Sequence, residues 1–194
     1  NLDGDDIITR LLKWESGDFR LSDHQIYHQC IFLLNAGHET TTNLIGNGLH
    51  ALMHHPEVMQ ELIDEPGLIE SAVEEFLRYE APVQLGNRTC TKAVVFDGEE
   101  FPAGTTFTLS IGAANRDPAV FESPDRLDIR RSPNPHLAFG GGIHACAGMA
   151  VARLEAKIAI DRLLRRYPAI APDGAPVRAR RARFRGFTSL PVRV

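Results

Sequence analysis

A glycine-rich stretch around one cysteine, Cys146, is the clearest candidate for a chemically active site in the sequence. It reads FGGGIHACAG from Phe139 to Gly148 and contains four glycines in ten residues. Because glycine reaches positive φ at little cost, this backbone can turn sharply and let a flat ligand come close. The stretch therefore predicts a ligand-binding loop that presents a thiol.

A helix is predicted directly after this loop, over residues 149 to 167. Its periodicity places four apolar side chains roughly along one face, those of Met149, Leu154, Ile158 and Leu163. Cys146 would then precede a helix N-terminus. Unpaired amide groups and the positive end of the helix dipole favour the thiolate at such a position.

Cys146 could have four roles in this loop: a packing residue, a nucleophile, a zinc ligand or an axial ligand to a haem iron. Zinc is disfavoured, because Cys30 and Cys90 stand alone in distant stretches and the sequence contains no CxxC. A nucleophile requires a base and an oxyanion pocket, and the residues alone leave that alternative open.

A second candidate for a functional segment lies inside a long predicted helix. Ser22 and Gln25 form a capping box, and apolar positions continue the helix to residue 54 or 55, a length of about 50 Å at about 1.5 Å per residue. Residues 36 to 42, AGHETTT, weaken this helix, because Gly37 costs roughly 1 kcal/mol and the threonines cost less. Residues that destabilise a central helix indicate a functional role, here the approach of a ligand.

The histidines offer a competing metal-site hypothesis. His38 and Glu39 begin the zinc-peptidase motif HExxH, but the fifth position is Thr42, so the motif fails. Two HxxxH pairs, at positions 24 and 28 and at positions 50 and 54, are interpreted as exposed helical histidines.

The remaining elements follow from periodicity and turn signals. Short helices are predicted over residues 5 to 13, 57 to 63 and 68 to 79, and a small β-region over residues 83 to 111, with a hairpin turn at Asp97-Gly98. Five arginines fall within residues 178 to 185, a run interpreted as a half-exposed strand.

Three motifs together resemble the cytochrome P450 family of haem-thiolate monooxygenases, in its bacterial soluble type. Phe139, Gly142, Cys146 and Gly148 fill the pattern FxxGxxxCxG of the haem-ligand loop. The AGxET string resembles the oxygen-binding kink of the family, and ExxR at Glu75 and Arg78 matches its buried structural pair. The resemblance implies a mainly α fold with a small β-region. Residues 1 to 194 would be the C-terminal haem-binding portion of one domain, without the N-terminal portion.

The resemblance also implies roles for individual residues. Cys146 would be the axial ligand to the iron of haem b (iron protoporphyrin IX), with Phe139 and Gly148 in its loop and Arg88 and His144 on the haem propionates. Gly37 would border bound O₂, while Thr40 and Glu39 would order water and relay protons. The implied structural cluster comprises Glu75, Arg78 and Arg126.

The implied activity is hydroxylation of a small organic substrate with one oxygen atom of O₂, using electrons from a ferredoxin- or flavodoxin-type donor. Two alternatives remain: a truncated, non-catalytic haem-binding remnant or interaction module, and a zinc peptidase. With the N-terminal portion absent, an exposed apolar face is expected along residues 26 to 52.

The composition of the chain argues against two further classes of protein, nucleic-acid-binding proteins and membrane proteins. The 194 residues are 43% hydrophobic and 24% charged, as in ordinary globular proteins, and the net charge of −4 argues against nucleic-acid binding. No apolar run of about eighteen residues and no leader sequence is visible, so we expect a cytoplasmic protein without a membrane anchor.

Overall fold

The computed structural model describes residues 4–16 and 19–194. Contacts divide the chain into a unit that ends at Glu39 and a unit from Thr40 to Val194. The first unit contains helix α1 (Ile7–Lys13), the paired strands β1 (Glu15–Ser16) and β2 (Phe19–Arg20), and the beginning of the long helix α2 (Asp23–His54). Asp6 caps α1, since its carboxylate accepts hydrogen bonds from the second and third amides that follow it.

Helix α2 confirms the predicted long helix and its start. The Ser22 N–H donates to Oε1 of Gln25 at 2.9 Å, and the Gln25 N–H donates to Oγ of Ser22 at 3.4 Å. The helix then runs for 32 residues. Gly37 and the threonines after it lower its intrinsic stability but do not interrupt it.

The apolar side chains of α2 divide into an exposed and a buried group. Tyr27, Ile31, Phe32 and Leu34 are more than half exposed. Further along, Leu44, Leu49 and Leu52 are buried in the hydrophobic core. The predicted exposed face over residues 26 to 52 is therefore confirmed for residues 27–34 and wrong for residues 44–52.

The second unit continues with the remaining helices and strands. In chain order these are α3 (Pro56–Asp64), a 3₁₀ turn (Pro66–Leu68), α4 (Ile69–Tyr79), β3 (Leu85–Thr89), β4 (Val94–Phe96), β5 (Glu99–Phe101), β6 (Thr106–Ser110), α5 (Ile111–Ala114), a 3₁₀ turn (Gly142–His144), α6 (Met149–Arg166), β7 (Ala171–Pro172), β8 (Val177–Arg178), β9 (Phe187–Ser189) and β10 (Val192–Arg193). The strands form antiparallel pairs, β3 with β6, β4 with β5, β8 with β9 and β7 with β10. The predicted fold class, mainly α with a small β-region, is confirmed.

The predicted hairpin turn is also confirmed. Asp97 and Gly98 connect β4 to β5 and have φ values of 51° and 80°. A two-residue turn with positive φ at both positions matches the twist of the flanking strands.

Helices α2, α4 and α6 meet closely in the core of the second unit. A Cβ atom at Gly48 on α2 would lie 2.9 Å from the Phe76 ring of α4 and 3.2 Å from Ile160 of α6, so only glycine fits there. The buried face of α6 is formed by Ala156, Ile160 and Leu164. The predicted face of this helix was wrong, because Leu154 and Ile158 are exposed.

The arginine-rich run is not the predicted strand. Only Arg178 belongs to a strand, and residues 179–186 are irregular except for a single bridge between Phe184 and Val83. Arg178 and Arg185 both pair with the buried carboxylate of Glu80, at 3.2 Å and 2.6 Å. These two arginines therefore hold the C-terminal segment to the core.

A buried ion pair fixes α4 to the segment that leads to the Cys146 loop. Arg78 donates from Nε and Nη2 to the carboxylate of Glu75, both at 2.8 Å, and both side chains are fully buried. The predicted pair is confirmed. The other N–H groups of Arg78 donate to the carbonyls of Asn115, Pro124 and Arg126.

The third arginine of this cluster is Arg131, and the prediction of Arg126 was wrong. Arg126 contributes its backbone carbonyl, but its side chain is exposed. The Arg131 Nε atom lies 3.3 Å from Oε2 of Glu75, and only a tenth of its side chain is exposed. The Asp128 N–H and the Asn134 amide complete the contacts of this carboxylate.

The two histidine pairs of α2 differ from each other. His24 and His28 are exposed as predicted, with their Nε2 atoms 3.2 Å apart. For His50 the prediction was wrong, because it is half-buried against His54 and Phe187, with ring centroids 4.1 Å and 4.7 Å away. Burial, together with the charges of His54 and Arg178, lowers the pKa of His50 to about 4.

The contacts of Glu75 predict that replacing Arg131 destabilises the protein more than replacing Arg126. Arg131→Gln should lower the free energy of unfolding by about 1–3 kcal/mol, because a buried carboxylate loses a charged donor. Arg126→Gln should change it by less than about 0.5 kcal/mol. Urea denaturation measures both, and equal costs would contradict the assignment of Arg131.

The lowered pKa of His50 predicts an acid-sensitive stability. In the folded chain His50 stays neutral between pH 6.5 and about 4, whereas in the unfolded chain it binds a proton. The contribution of neutral His50 to the free energy of unfolding is therefore complete above pH 6.5 and is lost as the pH falls towards 4. The variant His50→Gln should lose less stability than the wild type across this range in urea denaturation. The exposed His28→Gln variant serves as the control and should follow the wild type.

Candidate functional site

The loop before Cys146 is shaped by its glycines. Gly140 and Gly142 have φ values of 67° and 63°, in the region that other residues rarely adopt. A Cβ atom at Gly141 or Gly142 would meet no heavy atom within 4 Å, so the space over them is open. The loop therefore turns sharply and leaves room against its backbone, as the sequence predicted.

Cys146 lies between this loop and α6. Its N–H donates to the Phe139 carbonyl at 2.9 Å, which closes the loop, and its side chain is half-buried. Gly148 is the N-cap of α6, and a Cβ atom there would lie 4.0 Å from the Cys146 sulfur. The structure thus brings together three predicted residues, Phe139, Cys146 and Gly148, at a helix start.

The Phe139 side chain is held by a cluster that sequence reasoning missed. The Arg153 guanidinium lies over the Phe139 ring, 4.6 Å from its centroid. Arg153 donates twice to the carboxylate of Glu74, at 2.6 Å and 2.9 Å, and His136 contacts the same carboxylate at 3.0 Å. Glu74 lies 62 and 79 residues from these partners, so no local pattern could indicate the contacts.

The charges in this cluster stabilise one another. Burial alone would raise the pKa of Glu74, but hydrogen bonds from His136 and Arg153 outweigh it and lower the pKa to about 2. The hydrogen bond to Glu74 raises the pKa of Arg153 against the effect of burial, and the charges of Glu74 and Cys146 add to that rise. An arginine cation paired with a carboxylate therefore lies over the ring of the residue that closes the Cys146 loop.

The two predicted propionate partners are exposed. Arg88 lies on β3 opposite Phe107, and its Nη1 donates to the Asn87 carbonyl at 2.8 Å. His144 ends the 3₁₀ turn before Cys146. Within the residues that the structure describes, no carboxylate forms an ion pair with either side chain.

The residues predicted for oxygen binding follow one another on α2. Gly37 and Glu39 belong to the unit that ends at Glu39, and Thr40 begins the second unit. A Cβ atom at Gly37 would meet nothing within 4 Å. Glu39 and Thr40 are half-buried.

The donor set suits a haem better than a bare metal ion. Among residues 4–16 and 19–194, no group of three or more histidine, cysteine or acidic side chains could hold a metal ion. Cys146 offers a single sulfur beside an open glycine backbone, with Ile143 almost fully exposed next to it. Such a site fits a flat, apolar cofactor that supplies the other ligands of its own iron.

None of the helices in residues 4–16 and 19–194 combines the length and the apolar character needed to cross a bilayer.

Comparison with known proteins agrees with these features. The family model "Cytochrome P450" matches residues 3–192. The biotin biosynthesis cytochrome P450 of Bacillus subtilis is 46% identical over 188 residues, which are 96% of this chain and 47% of that protein. Cytochrome P450 107B1 of Saccharopolyspora erythraea is 46% identical over 195 residues, which are 98% of this chain and 48% of that protein.

Solved structures show the same relationship. P450BioI, in complex with an acyl carrier protein ligated to hexadec-9Z-enoic acid, matches with a TM-score of 0.92 and 44% identity over 98% of this chain and 49% of its own. CYP109E1 of Bacillus megaterium, in complex with corticosterone, matches with a TM-score of 0.91 and 39% identity over 98% of this chain and 52% of its own.

These relatives set both the family and the extent of the match. The chain spans about half the length of the curated relatives that it matches. The family match includes the glycine-rich loop, the Glu75–Arg78 pair and the whole of α2, and it gives the zinc-peptidase hypothesis no support. The chain therefore belongs to the cytochrome P450 family.

Proposed function

We propose that this chain is the C-terminal haem-binding portion of a cytochrome P450 domain and serves a monooxygenase that hydroxylates a small organic substrate. The position of Cys146 carries this proposal. Its backbone is fixed by the hydrogen bond to Phe139, and its sulfur lies beside the open glycine backbone at the start of α6. When bound, a thiolate-ligated haem b supplies the activation of O₂ and the oxidation of the substrate.

The residues of the chain would hold the cofactor from three sides. Cys146 would bind the iron through its sulfur. Gly141 and Gly142 would let the macrocycle approach the backbone, since no side chain occupies that space. Arg88 and His144 would bind the propionates, and the fork of N–H groups on arginine suits a carboxylate.

Thr40 and Glu39 would manage protons on α2. The Thr40 hydroxyl would hold a water molecule through Oγ1, and the Glu39 carboxylate would pass protons from solvent. Both residues are half-buried, which allows contact with solvent and with a ligand. This acid–alcohol pair favours a monooxygenase that uses O₂ over a relative that uses peroxide.

The partners follow from this chemistry. Two electrons would arrive one at a time from a ferredoxin- or flavodoxin-type protein. Relatives carry names that refer to biotin biosynthesis, polyketide biosynthesis and vitamin D(3) hydroxylation. Because these names differ so widely, we propose only the class of the substrate, a small and largely apolar organic molecule.

The ligation proposal predicts the absorption spectrum of the chain. Reconstituted with haem, reduced and exposed to carbon monoxide, it should show the strongly red-shifted Soret band of thiolate ligation. Cys146→Ser should abolish that band completely, because no other cysteine lies in the loop. Cys90→Ser, which removes a half-buried thiol elsewhere, should leave it unchanged. Haem binding without the shifted band would favour a non-catalytic remnant.

The role of Thr40 predicts uncoupling of oxygen use from product formation. Supplied with an electron donor and O₂, the haem-loaded Thr40→Ala variant should form less product per electron than the wild type and release more peroxide, because the proton-transfer group is lost. Thr40→Ser should restore coupling, because it keeps the hydroxyl. Thr42→Ala, at an exposed position of the same helix, is the matched control. Equal coupling in Thr40→Ala and wild type would refute this role.

A further inference from the structure

We propose that Arg153 is a positioning residue for Cys146, and that Glu74 sets how much of the Arg153 charge reaches the Cys146 sulfur. This inference rests on the proposed function, because it concerns the same sulfur as a haem ligand. The three residues come from α4, the loop and α6, and Phe139 connects them.

The first step is mechanical. The Phe139 carbonyl accepts the hydrogen bond from the Cys146 N–H, so the position of Phe139 determines the position of the cysteine backbone. The Arg153 guanidinium lies over the Phe139 ring, 4.6 Å from its centroid, in a cation–π contact. Arg153 thereby holds the residue that closes the loop.

The second step fixes Arg153 itself. Two parallel hydrogen bonds join its guanidinium to the Glu74 carboxylate, and this bidentate geometry sets the plane of the guanidinium. The same carboxylate contacts Nε2 of His136, whose side chain is almost completely buried. His136 lies three residues before Phe139, so the carboxylate anchors both ends of a short segment.

The third step is electrostatic. The Arg153 guanidinium lies over the ring of Phe139, whose carbonyl accepts the Cys146 N–H, so its positive charge is held beside the loop that carries the sulfur. Positive charge near a thiolate ligand draws electron density from the iron and stabilises the reduced, more negative state. The Glu74 carboxylate opposes this effect. The balance between one cation and one anion would therefore tune the reduction potential of the bound haem.

The two charges predict shifts of opposite sign. In a redox titration of the haem-loaded full chain, Arg153→Gln should lower the reduction potential, because the Glu74 carboxylate remains without its cation. Glu74→Gln should raise it, because the Arg153 cation remains without its anion. Arg165→Gln removes an exposed arginine that pairs with Asp161 on the same helix, and should leave the potential unchanged.

Two further variants separate charge from stacking. Arg153→Lys keeps the cation but loses the flat guanidinium over the ring. It should retain a potential close to that of the wild type while a larger fraction of its carbon monoxide complex shows the unshifted, thiol-type band. Phe139→Leu removes the ring and should give the same spectral loss without a change of charge.

The outcomes decide between the proposals. Shifts of opposite sign in Arg153→Gln and Glu74→Gln support the inference, whereas shifts of equal sign, or none, overturn it and leave a purely structural cluster. If Arg153→Gln does not fold, the direction in Glu74→Gln decides alone: a rise supports the inference, and a fall or no change overturns it. A wild-type chain without the thiolate band overturns the proposed function and this inference together.

Discussion

The buried carboxylate of Glu75 is the constraint on which the second unit depends. A charge without water must be met by donors on every side, because an unpaired buried charge costs several kcal/mol. Arg78 and Arg131 supply the cations, and the Asp128 N–H and the Asn134 amide supply the remaining donors. A segment with little regular structure, from residue 115 to 134, is thereby ordered by two side chains of α4: Arg78 holds its first part and Glu75 its second.

The neighbouring residue extends this constraint to the candidate site. Glu74 and Glu75 are consecutive on α4, so their side chains leave the helix in different directions. Glu75 helps to order the segment that leads to the loop, while Glu74 holds Arg153, which lies over the Phe139 ring, and His136, three residues before Phe139. One turn of helix therefore positions both the approach to the Cys146 loop and the ring that closes it. Because Glu74 and Glu75 lie on the same helix, a mutation that disturbs α4 is expected to affect both the fold of the second unit and the position of Phe139.

The sequence predicted features that depend on local chemistry. The capping box of α2, the Asp97-Gly98 turn and the spacing of Glu75 and Arg78 each act over a few residues, and the structure confirms them. The choice between Arg126 and Arg131 could not be predicted, because both lie in an irregular segment without periodicity. The buried face of α6 was missed because small Ala156 packs against the core while larger Leu154 does not. The contacts of Glu74 connect residues too distant in sequence for any motif.

The central claim is that the Cys146 sulfur binds the haem iron. Resonance Raman spectroscopy of the haem-loaded ferric chain, with cysteine labelled by the heavy sulfur isotope ³⁴S, tests this claim most directly. In a Cys30→Ser, Cys90→Ser background, Cys146 is the only cysteine left of the three. An iron–sulfur stretching band that moves to lower frequency on labelling is the predicted result, and its absence in haem-loaded protein would contradict the account.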